Sequence, residues 1–319
     1  MKLGELYRLA VEKGVAHDPR GKTEVEAYLA REKDKFNDMK ADEKDLYDEE
    51  RLNNPYADTR ILYGDPEREV EVALVGIDME VGEVLLADRL REKGQAIDLI
   101  IAHHPEGKAM AALYDVMHLQ EDILAELGVP INVAEGLMAA RIGEVKRALL
   151  PLNHNRAVDA ARLLDIPFMC VHTAADNLVT DYLQKLMDEK KPRTLKDVVK
   201  CLKEIPEFAE ATKQNAGPTI VVGAPERRVG KIVVDMTGGT SGSEDAYSKL
   251  VDAGVGTLVV MHMTEKHRKE AEKNNINVII AGHMASDSLG LNLFLDEIAE
   301  RGVKIIPTSG LIRVDRRYA

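Results

Sequence analysis

Apolar runs and amphipathic segments alternate along the chain from residue 64 onward. Residues 71–78 (EVALVGID) and 98–104 (DLIIAHH) are almost continuously apolar and rich in β-branched residues, as strands buried on both faces are. Residues 82–94 between them show helical spacing of apolar positions and end at Gly94. Strand, helix and strand within roughly 30 residues predict a βαβ unit with two parallel strands.

Similar runs follow later in the chain. The further candidate strands are 129–136, 166–173, 218–224, 229–236, 256–263, 276–283 and 303–310. Helical patterns alternate with these runs, which predicts an α/β fold. Residues 1–60 differ because they are polar and charged, with amphipathic stretches at 24–33 and 43–52 that predict helices. We interpret the charge run at 31–52 as the solvated face of such helices.

The chain also contains an internal repeat. Residues 64–79 (GDPEREVEVALVGIDM) match residues 223–236 (GAPERRVGKIVVDM), and in both places a helical pattern and then a strand ending in His come next. Residues 166–176 (IPFMCVHTAAD) match residues 276–287 (INVIIAGHMASD), and both segments end in His-x-x-x-Asp. Several matched features in the same order predict two related α/β lobes.

The repeat and the charged helical segments together predict four regions. They are a helical N-terminal extension (1–60), a first α/β lobe (61–180) with a helical insertion (105–152), a helical connector (181–216) and a second α/β lobe (217–319).

Composition and charge narrow the possible functions. The net charge of −12 argues against non-specific binding to nucleic acid, which needs a basic surface. The segment MKLGELYRLAVEKGV lacks the apolar core of a signal peptide, and no run approaches the roughly 20 apolar residues of a membrane span. Two cysteines without a CxxC pattern argue against a disulfide framework. We therefore expect a cytoplasmic protein without membrane association.

Histidines cluster where predicted strands end, which is the edge at which parallel α/β sheets bind ligands. The candidates are His103 and His104, His172 with Asp176, His262, and His283 with Asp287. Imidazole and carboxylate together suit Zn, Fe, Mn or Ni. If the two lobes face each other, these clusters converge, so we predict a metal site at the lobe interface with His103 and His104 at its centre.

For some of these histidines more than one role stays open. His172 is either a metal ligand or a residue that orients Asp176. His262 either supports a ligand in the same way or transfers protons. His262 pairs with His103 in the sequence repeat, so His104 has no counterpart in the second lobe. A histidine that follows a strand is more often structural, and we interpret the others in this way: His17, His118, His154 and His267.

The segments 98–105 (DLIIAHHP), 171–176 (VHTAAD) and 281–287 (AGHMASD) resemble the dinuclear metal-centre hexameric protein family, also called the Nif-three-like or GTP cyclohydrolase I type 2 family. The resemblance implies two divalent metal ions between two α/β lobes, and a homohexamer. The metal ligands that it implies are His103, His104, Asp176, His283 and Asp287. This chain has Asp287 where the family usually has Glu, so it resembles a divergent branch.

Two metal ions about 3.5–4 Å apart lower the pKa of a bridging water and polarise an electron-poor carbon or phosphorus. We therefore predict a dinuclear-metal-dependent hydrolase that acts on a nucleotide-like or heterocyclic small molecule, with His262 or His172 moving protons. A ring opening of the GTP cyclohydrolase type is one version of this reaction. The alternative is a non-enzymatic regulatory protein or metal chaperone, which binds metal without turnover.

Overall fold

The computed structural model describes residues 1–318, which fold into two β-sheets with helices between and outside them. The strands are β1 (Arg60–Tyr63), β2 (Val72–Gly76), β3 (Leu99–Ala102), β4 (Phe168–Cys170), β5 (Thr219–Val222), β6 (Lys231–Asp235), β7 (Val255–Val260), β8 (Asn277–Ile280) and β9 (Lys304–Pro307). The α/β class predicted from the sequence is confirmed.

The helices account for most of the chain between the strands. They are α1 (Leu3–Ala16), α2 (Lys22–Asp38), α3 (Ala41–Lys44), α4 (Val81–Glu92), α5 (Gly107–Ala111), α6 (Leu113–Val116), α7 (Leu119–Leu127), α8 (Ile131–Leu149), α9 (Arg156–Leu163), α10 (Thr173–Lys190), α11 (Leu195–Lys203), α12 (Pro206–Lys213), α13 (Tyr247–Asp252), α14 (Glu265–Lys273) and α15 (His283–Glu300). Within residues 1–318, none of these helices combines the length and the apolar character needed to span a bilayer.

The two sheets repeat one topology. The first has the order β1-β4-β3-β2-β9 and the second has the order β5-β8-β7-β6. The first-named strand of each sheet runs antiparallel to its neighbour, and the other pairs are parallel. Both antiparallel pairs carry a register shift in the edge strand, in β1 and in β5. The structure therefore confirms the two-lobe layout that the sequence repeat predicts.

Helices α10 and α15 pack against each other between the two sheets. One face of the first sheet packs on this helix pair through Ile101 and Met169, and one face of the second sheet packs on it through Val259 and Ile279. Gly290 makes the close crossing of the helices possible, because a Cβ there would lie 2.3 Å from the carbonyl oxygen of Ala175. The helix pair thus holds the strand ends of both lobes at one place.

The strand register corrects the residue pairing taken from the sequence repeat. Matching rows cross the two sheets, Ile61–Met169–Ile101–Val75 in the first and Ile220–Ile279–Val259–Val234 in the second. In these rows, Ile101 of β3 matches Val259 of β7. Two residues further along the chain are His103 and Met261, and three residues further are His104 and His262. His104 therefore corresponds to His262, and the position of His103 is occupied by Met261.

The physical reason for this correction is the period of a strand. A one-residue slip moves every side chain to the other face of the sheet, and burial shows which register is right. His103 and Met261 are both buried, whereas His104 is half-buried and His262 is exposed. The sequence match had aligned the two His-x-x-x-Asp segments, but α10 begins after His172 and α15 begins at His283.

Other predicted elements also differ in the structure. Residues 129–136 were expected to form a strand, but they begin α8 after Pro130. The buried positions of α8 recur at helical spacing, which an eight-residue window does not reveal. Residues 43–52 form only the end of α3 and a short 3₁₀ helix, and β1 was not predicted at all.

The last strand joins the first sheet. β9 runs parallel to β2, although the sequence places it within the second lobe (217–319). Helix α15 crosses the interface from one lobe to the other, so the chain that follows it returns to the first sheet. The helical insertion also crosses over, because α8 covers the outer face of the second sheet.

Candidate metal centre

Four imidazoles and two carboxylates meet at the carboxyl ends of β3, β4 and β8. His103 and His104 follow β3 directly. The cap and first turns of α10, just after β4, supply His172 and Asp176, and the start of α15, just after β8, supplies His283 and Asp287. The sequence predicted that these six side chains and His262 converge at the lobe interface. The structure brings the six together, and His262 lies beside them.

The carboxylates lie at the middle of the cluster. The Nε2 atom of His103 is 3.4 Å from Oδ1 of Asp176 and 3.6 Å from Oδ1 of Asp287. The other oxygen of Asp287, Oδ2, is 3.5 Å from Nε2 of His104 and 3.4 Å from Nε2 of His283. The two oxygens of one carboxylate therefore face different imidazoles.

Several of these atoms are buried without a hydrogen-bond partner. They are Nε2 of His103, Oδ1 of Asp176, and both oxygens of Asp287. An unpaired buried polar atom is costly, so such a group of atoms indicates a ligand-binding site. Among residues 1–318, the sets whose ligand atoms lie close enough to hold a metal ion are His103/Asp176/Asp287, His104/His283/Asp287 and His103/His104/His172.

Three of the imidazoles are fixed through their Nδ1 atoms. Nδ1 of His103 donates to the carbonyl oxygen of Val171 at 2.9 Å. Nδ1 of His172 donates to Oδ2 of Asp58 at 2.8 Å, and Nδ1 of His104 donates to Oδ1 of Asp78 at 2.6 Å. We assign these tautomers from the acceptors, and they leave each Nε2 lone pair directed at the carboxylates.

Asp58 and Asp78 were not among the predicted site residues. Asp58 is fully buried and also accepts a hydrogen bond from the hydroxyl of Thr173. It lies just before β1, which the sequence analysis missed, and its contact with His172 spans 114 positions of the chain. No local pattern predicts such a contact, whereas Asp78 at least stood at the end of a predicted strand.

The carboxylates and imidazoles of the cluster shift one another's pKa values. Burial alone would lower the pKa of the His103 and His172 imidazoles, but the carboxylates beside them raise it. Burial alone would raise the pKa of the Asp287 carboxyl, but His103 and the other neighbouring imidazoles hold that pKa well below its usual range. The protein around these rings displaces part of their water, which lowers the pKa of the His283 and His262 imidazoles. Asp287 is therefore ionised and these two imidazoles are neutral near pH 7, which are the forms that bind metals.

A cleft opens from the cluster toward the second lobe. The ring of His262 lies there, with its centroid 4.8 Å from that of His283. His262 belongs to none of the three ligand sets found in the described part of the chain. The cleft continues past Asp235 and along the loop 238–242, whose backbone carbonyls accept hydrogen bonds from Gln120.

Three of the remaining histidines have hydrogen-bonding partners away from the cluster. His17 pairs with Asp181, His118 pairs with Glu121, and His267 contacts Thr264 and the carbonyl oxygen of Gly242.

The fold of the chain is similar to those of several solved structures. A NIF3 superfamily protein from Sphaerobacter thermophilus is 27% identical, with a TM-score of 0.70 over 80% of this chain and 92% of that chain. Reduced HcgD from Methanocaldococcus jannaschii is 18% identical, with a TM-score of 0.47 over 77% and 87%. A Bacillus cereus protein related to NIF3 is 12% identical, with a TM-score of 0.39 over 78% and 90%. Of these three, the Sphaerobacter thermophilus protein has a TM-score above 0.5, whereas the other two lie below that value.

No family model matches the chain, and no curated protein does.

Proposed function

Because the chain is a NIF3-like protein, we propose that it is a metal-dependent hydrolase that binds two divalent cations and acts on a small heterocyclic or nucleotide-like molecule. The observation that carries the proposal is the set of unpaired buried ligand atoms around Asp287. Metal binding and turnover can be tested separately.

The spacing of the atoms supports a metal site over a hydrogen-bonded cluster. The separations between imidazole nitrogen and carboxylate oxygen are 3.4–3.6 Å, longer than ordinary hydrogen bonds. Two ligand atoms that each lie about 2.1 Å from one tetrahedral ion are about 3.4 Å apart. The atoms are therefore spaced as ligands of shared ions would be.

The two oxygens of Asp287 support a pair of ions. Oδ1 faces His103, which also faces Asp176, and Oδ2 faces His104 and His283. We propose that Asp287 would help to hold both ions, although its side chain is one methylene shorter than the Glu that the family usually has. His172 would add a ligand on the His103 side. Zn, Fe, Mn and Ni all suit such a donor set.

The residues outside the ligand set have separate tasks. Bound divalent ions would supply a water of lowered pKa and would polarise the atom that it attacks. His262 is neutral, exposed to the cleft and without a hydrogen-bond partner in the described residues, so we propose that it carries protons to and from the substrate. His172 is buried and held by Asp58, which makes it a poorer proton carrier than His262.

Metal content is the first test. Elemental analysis of protein purified after metal-replete expression should give close to two equivalents of transition metal. Less than one equivalent would reject the metal centre. The matched control is Asp252→Asn, an exposed acid in the second lobe that should leave the metal content unchanged.

Turnover is the second test. A panel of aminated heterocycles, nucleotides and phosphate esters should be assayed with Mn, Fe and Zn, comparing the wild type with His104→Ala and His262→Ala. We expect metal-dependent hydrolysis of at least one substrate, and its loss in both variants. Full metal content without any turnover would instead favour a regulatory or metal-chaperone role.

The homohexamer and the cytoplasmic location remain predictions that follow from the family resemblance and the sequence. Light scattering coupled to size-exclusion chromatography tests the assembly, and a mass of about 35 kDa, that of the single chain, would contradict it.

A further inference from the structure

The cleft beside the metal centre contains carboxylates and neutral polar groups. Its lining outside the cluster includes Gln120, Asp235, Thr237, Tyr247, His262 and His267. Among the described residues, no Lys or Arg lines it. A phosphate group that entered the cleft would thus meet only the metal ions as cationic partners, with a carboxylate nearby.

Asp235 is the unusual member of this lining. It ends β6, faces the cleft and has neither a hydrogen-bond nor an ion-pair partner in the described part of the chain. By contrast, Asp58 and Asp78 each hold an imidazole, and Asp176 and Asp287 face imidazoles of the cluster. None of the potential metal-binding sets includes Asp235, so a role as a metal ligand is not supported.

An apolar recess adjoins Asp235 on the side away from the metal centre. Its walls include Leu124, Met138 and Leu250, and the cleft residues Asp235 and Tyr247 also line it. The ring of Tyr247 lies edge-on to that of His267, with centroids 5.9 Å apart. Asp235 therefore lies between an apolar recess and a polar cleft that leads to the His/Asp cluster.

The Asp235 carboxylate and the apolar recess beside it indicate which chemical groups a ligand of the cleft would carry. An unpaired carboxylate at an apolar boundary gains most from N–H donors, especially from a cationic or amidine-like pair that forms two charge-assisted hydrogen bonds. The Asp235 side chain is exposed to the cleft. The protein around the cleft raises the pKa of its carboxyl by displacing water, against the opposing effect of the nearby His267. A cationic group would restore its usual acidity, whereas an anionic group would make its position less favourable.

We propose that Asp235 is the specificity residue of the cleft, and that it selects a neutral or cationic ring carrying an amino or amidine N–H edge over a phosphate ester. This inference rests on the proposed hydrolase, because it names the substrate class of the same site. It places the ring beside Tyr247 and the N–H edge on Asp235, with the reacting atom directed toward Asp287.

A pair of small probes tests the inference without turnover. 2-Aminobenzimidazole carries a guanidine-like N–H edge on an apolar ring, and 1-methylindole has a ring of similar size with no N–H. Isothermal titration of metal-loaded protein should show that Asp235→Asn weakens binding of 2-aminobenzimidazole by about 10- to 100-fold, the range for charge-assisted hydrogen bonds. Binding of 1-methylindole should be unchanged.

The controls separate selectivity from folding and from charge alone. Asp252→Asn removes one negative charge from an exposed site in the same lobe, and it should alter neither affinity. Asp235→Glu should retain a preference for the aminated probe, and the melting temperature of each variant reports its folding.

Equal affinity of 2-aminobenzimidazole for the wild type and Asp235→Asn would overturn the inference, and so would tighter binding of phenyl phosphate than of the aminated probe. Selective probe binding without hydrolysis of any compound would support the inference while rejecting the hydrolase. If the protein hydrolyses phosphate esters and Asp235→Asn leaves that activity unchanged, the hydrolase would be supported and the role of Asp235 in specificity would be rejected.

Discussion

The two lobes share a topology but contribute different kinds of residues to the site. At matching positions, the first lobe has His103, His172 and Asp58, and the second has Met261, Gly282 and Gly217. A Cβ at Gly282 would lie 2.7 Å from the carbonyl oxygen of Ala216, so no side chain fits there. The first lobe thus builds a rigid set of imidazoles, whereas the second contributes two ligands from one helix and an open cleft.

The different residues at matching positions explain how a duplicated fold can form one asymmetric site. The strand ends of both lobes meet around the α10–α15 pair. The groups that hold imidazoles of the cluster through Nδ1, which are Asp58, Asp78 and the carbonyl of Val171, belong to the first lobe. The other lobe is free to present Asp235 and His262 to a ligand.

The largest effect is expected from His103→Met, which gives the first lobe the residue of the second. It removes a buried ligand that faces both Asp176 and Asp287, so the ion on that side should be lost. Elemental analysis should then show a fall of at least one equivalent. Met261→Leu is the matched control, because a volume-conserving swap costs less than about 1.5 kcal/mol and should keep the metal. Wild-type metal content in His103→Met would contradict the ligand assignment.

Asp58→Asn should have the next largest effect. It removes the carboxylate that holds Nδ1 of His172, and the loss of such a supporting group typically lowers metal affinity about 10- to 100-fold. Competition with a chelator measures the change. The control is Asp181→Asn, because Asp181 also pairs with a histidine, His17, but lies away from the cluster. If both variants bind metal equally well, the supporting role of Asp58 is wrong.

Gly290→Ala tests the helix crossing that joins the lobes. The added Cβ would collide with the backbone of Ala175, and such overpacking costs about 1–3 kcal/mol of unfolding free energy. Urea denaturation of metal-free protein measures this. Gly136→Ala in α8 is the control, since its Cβ would meet no atom within 4 Å and should stabilise the helix by about 0.5–1 kcal/mol. Stabilisation by both changes would mean that the crossing is not tight.

The smallest effect is expected from Asp78→Asn. Asp78 holds His104 as Asp58 holds His172, but the side chain of Asp78 is 55% exposed. Exposed pairs contribute about 0–1 kcal/mol, so metal affinity should fall no more than about fivefold. The chelator competition used for Asp58→Asn gives the comparison directly. A loss as large as that of Asp58→Asn would show that the exposed pair matters as much as the buried one.

The sequence by itself determined the fold class, the duplication and the histidines at the strand ends. These are local patterns, because the period of apolar positions and the residues that follow each strand are read within a few positions of the chain. The helical insertion 105–152 could be predicted for the same reason, although α8 was partly mistaken for a strand. Asp176, His283 and Asp287 could be placed in the site through the repeat and the family resemblance.

Only the tertiary structure decided the register between the lobes and the partners of the imidazoles. A shift of one residue reverses which face a side chain occupies, and only pairing across the sheets showed that His104, not His103, corresponds to His262. Asp58 reaches His172, and β9 reaches β2, across long stretches of chain. Such contacts depend on how α10 and α15 bring distant segments together, so no local pattern in the sequence contains them.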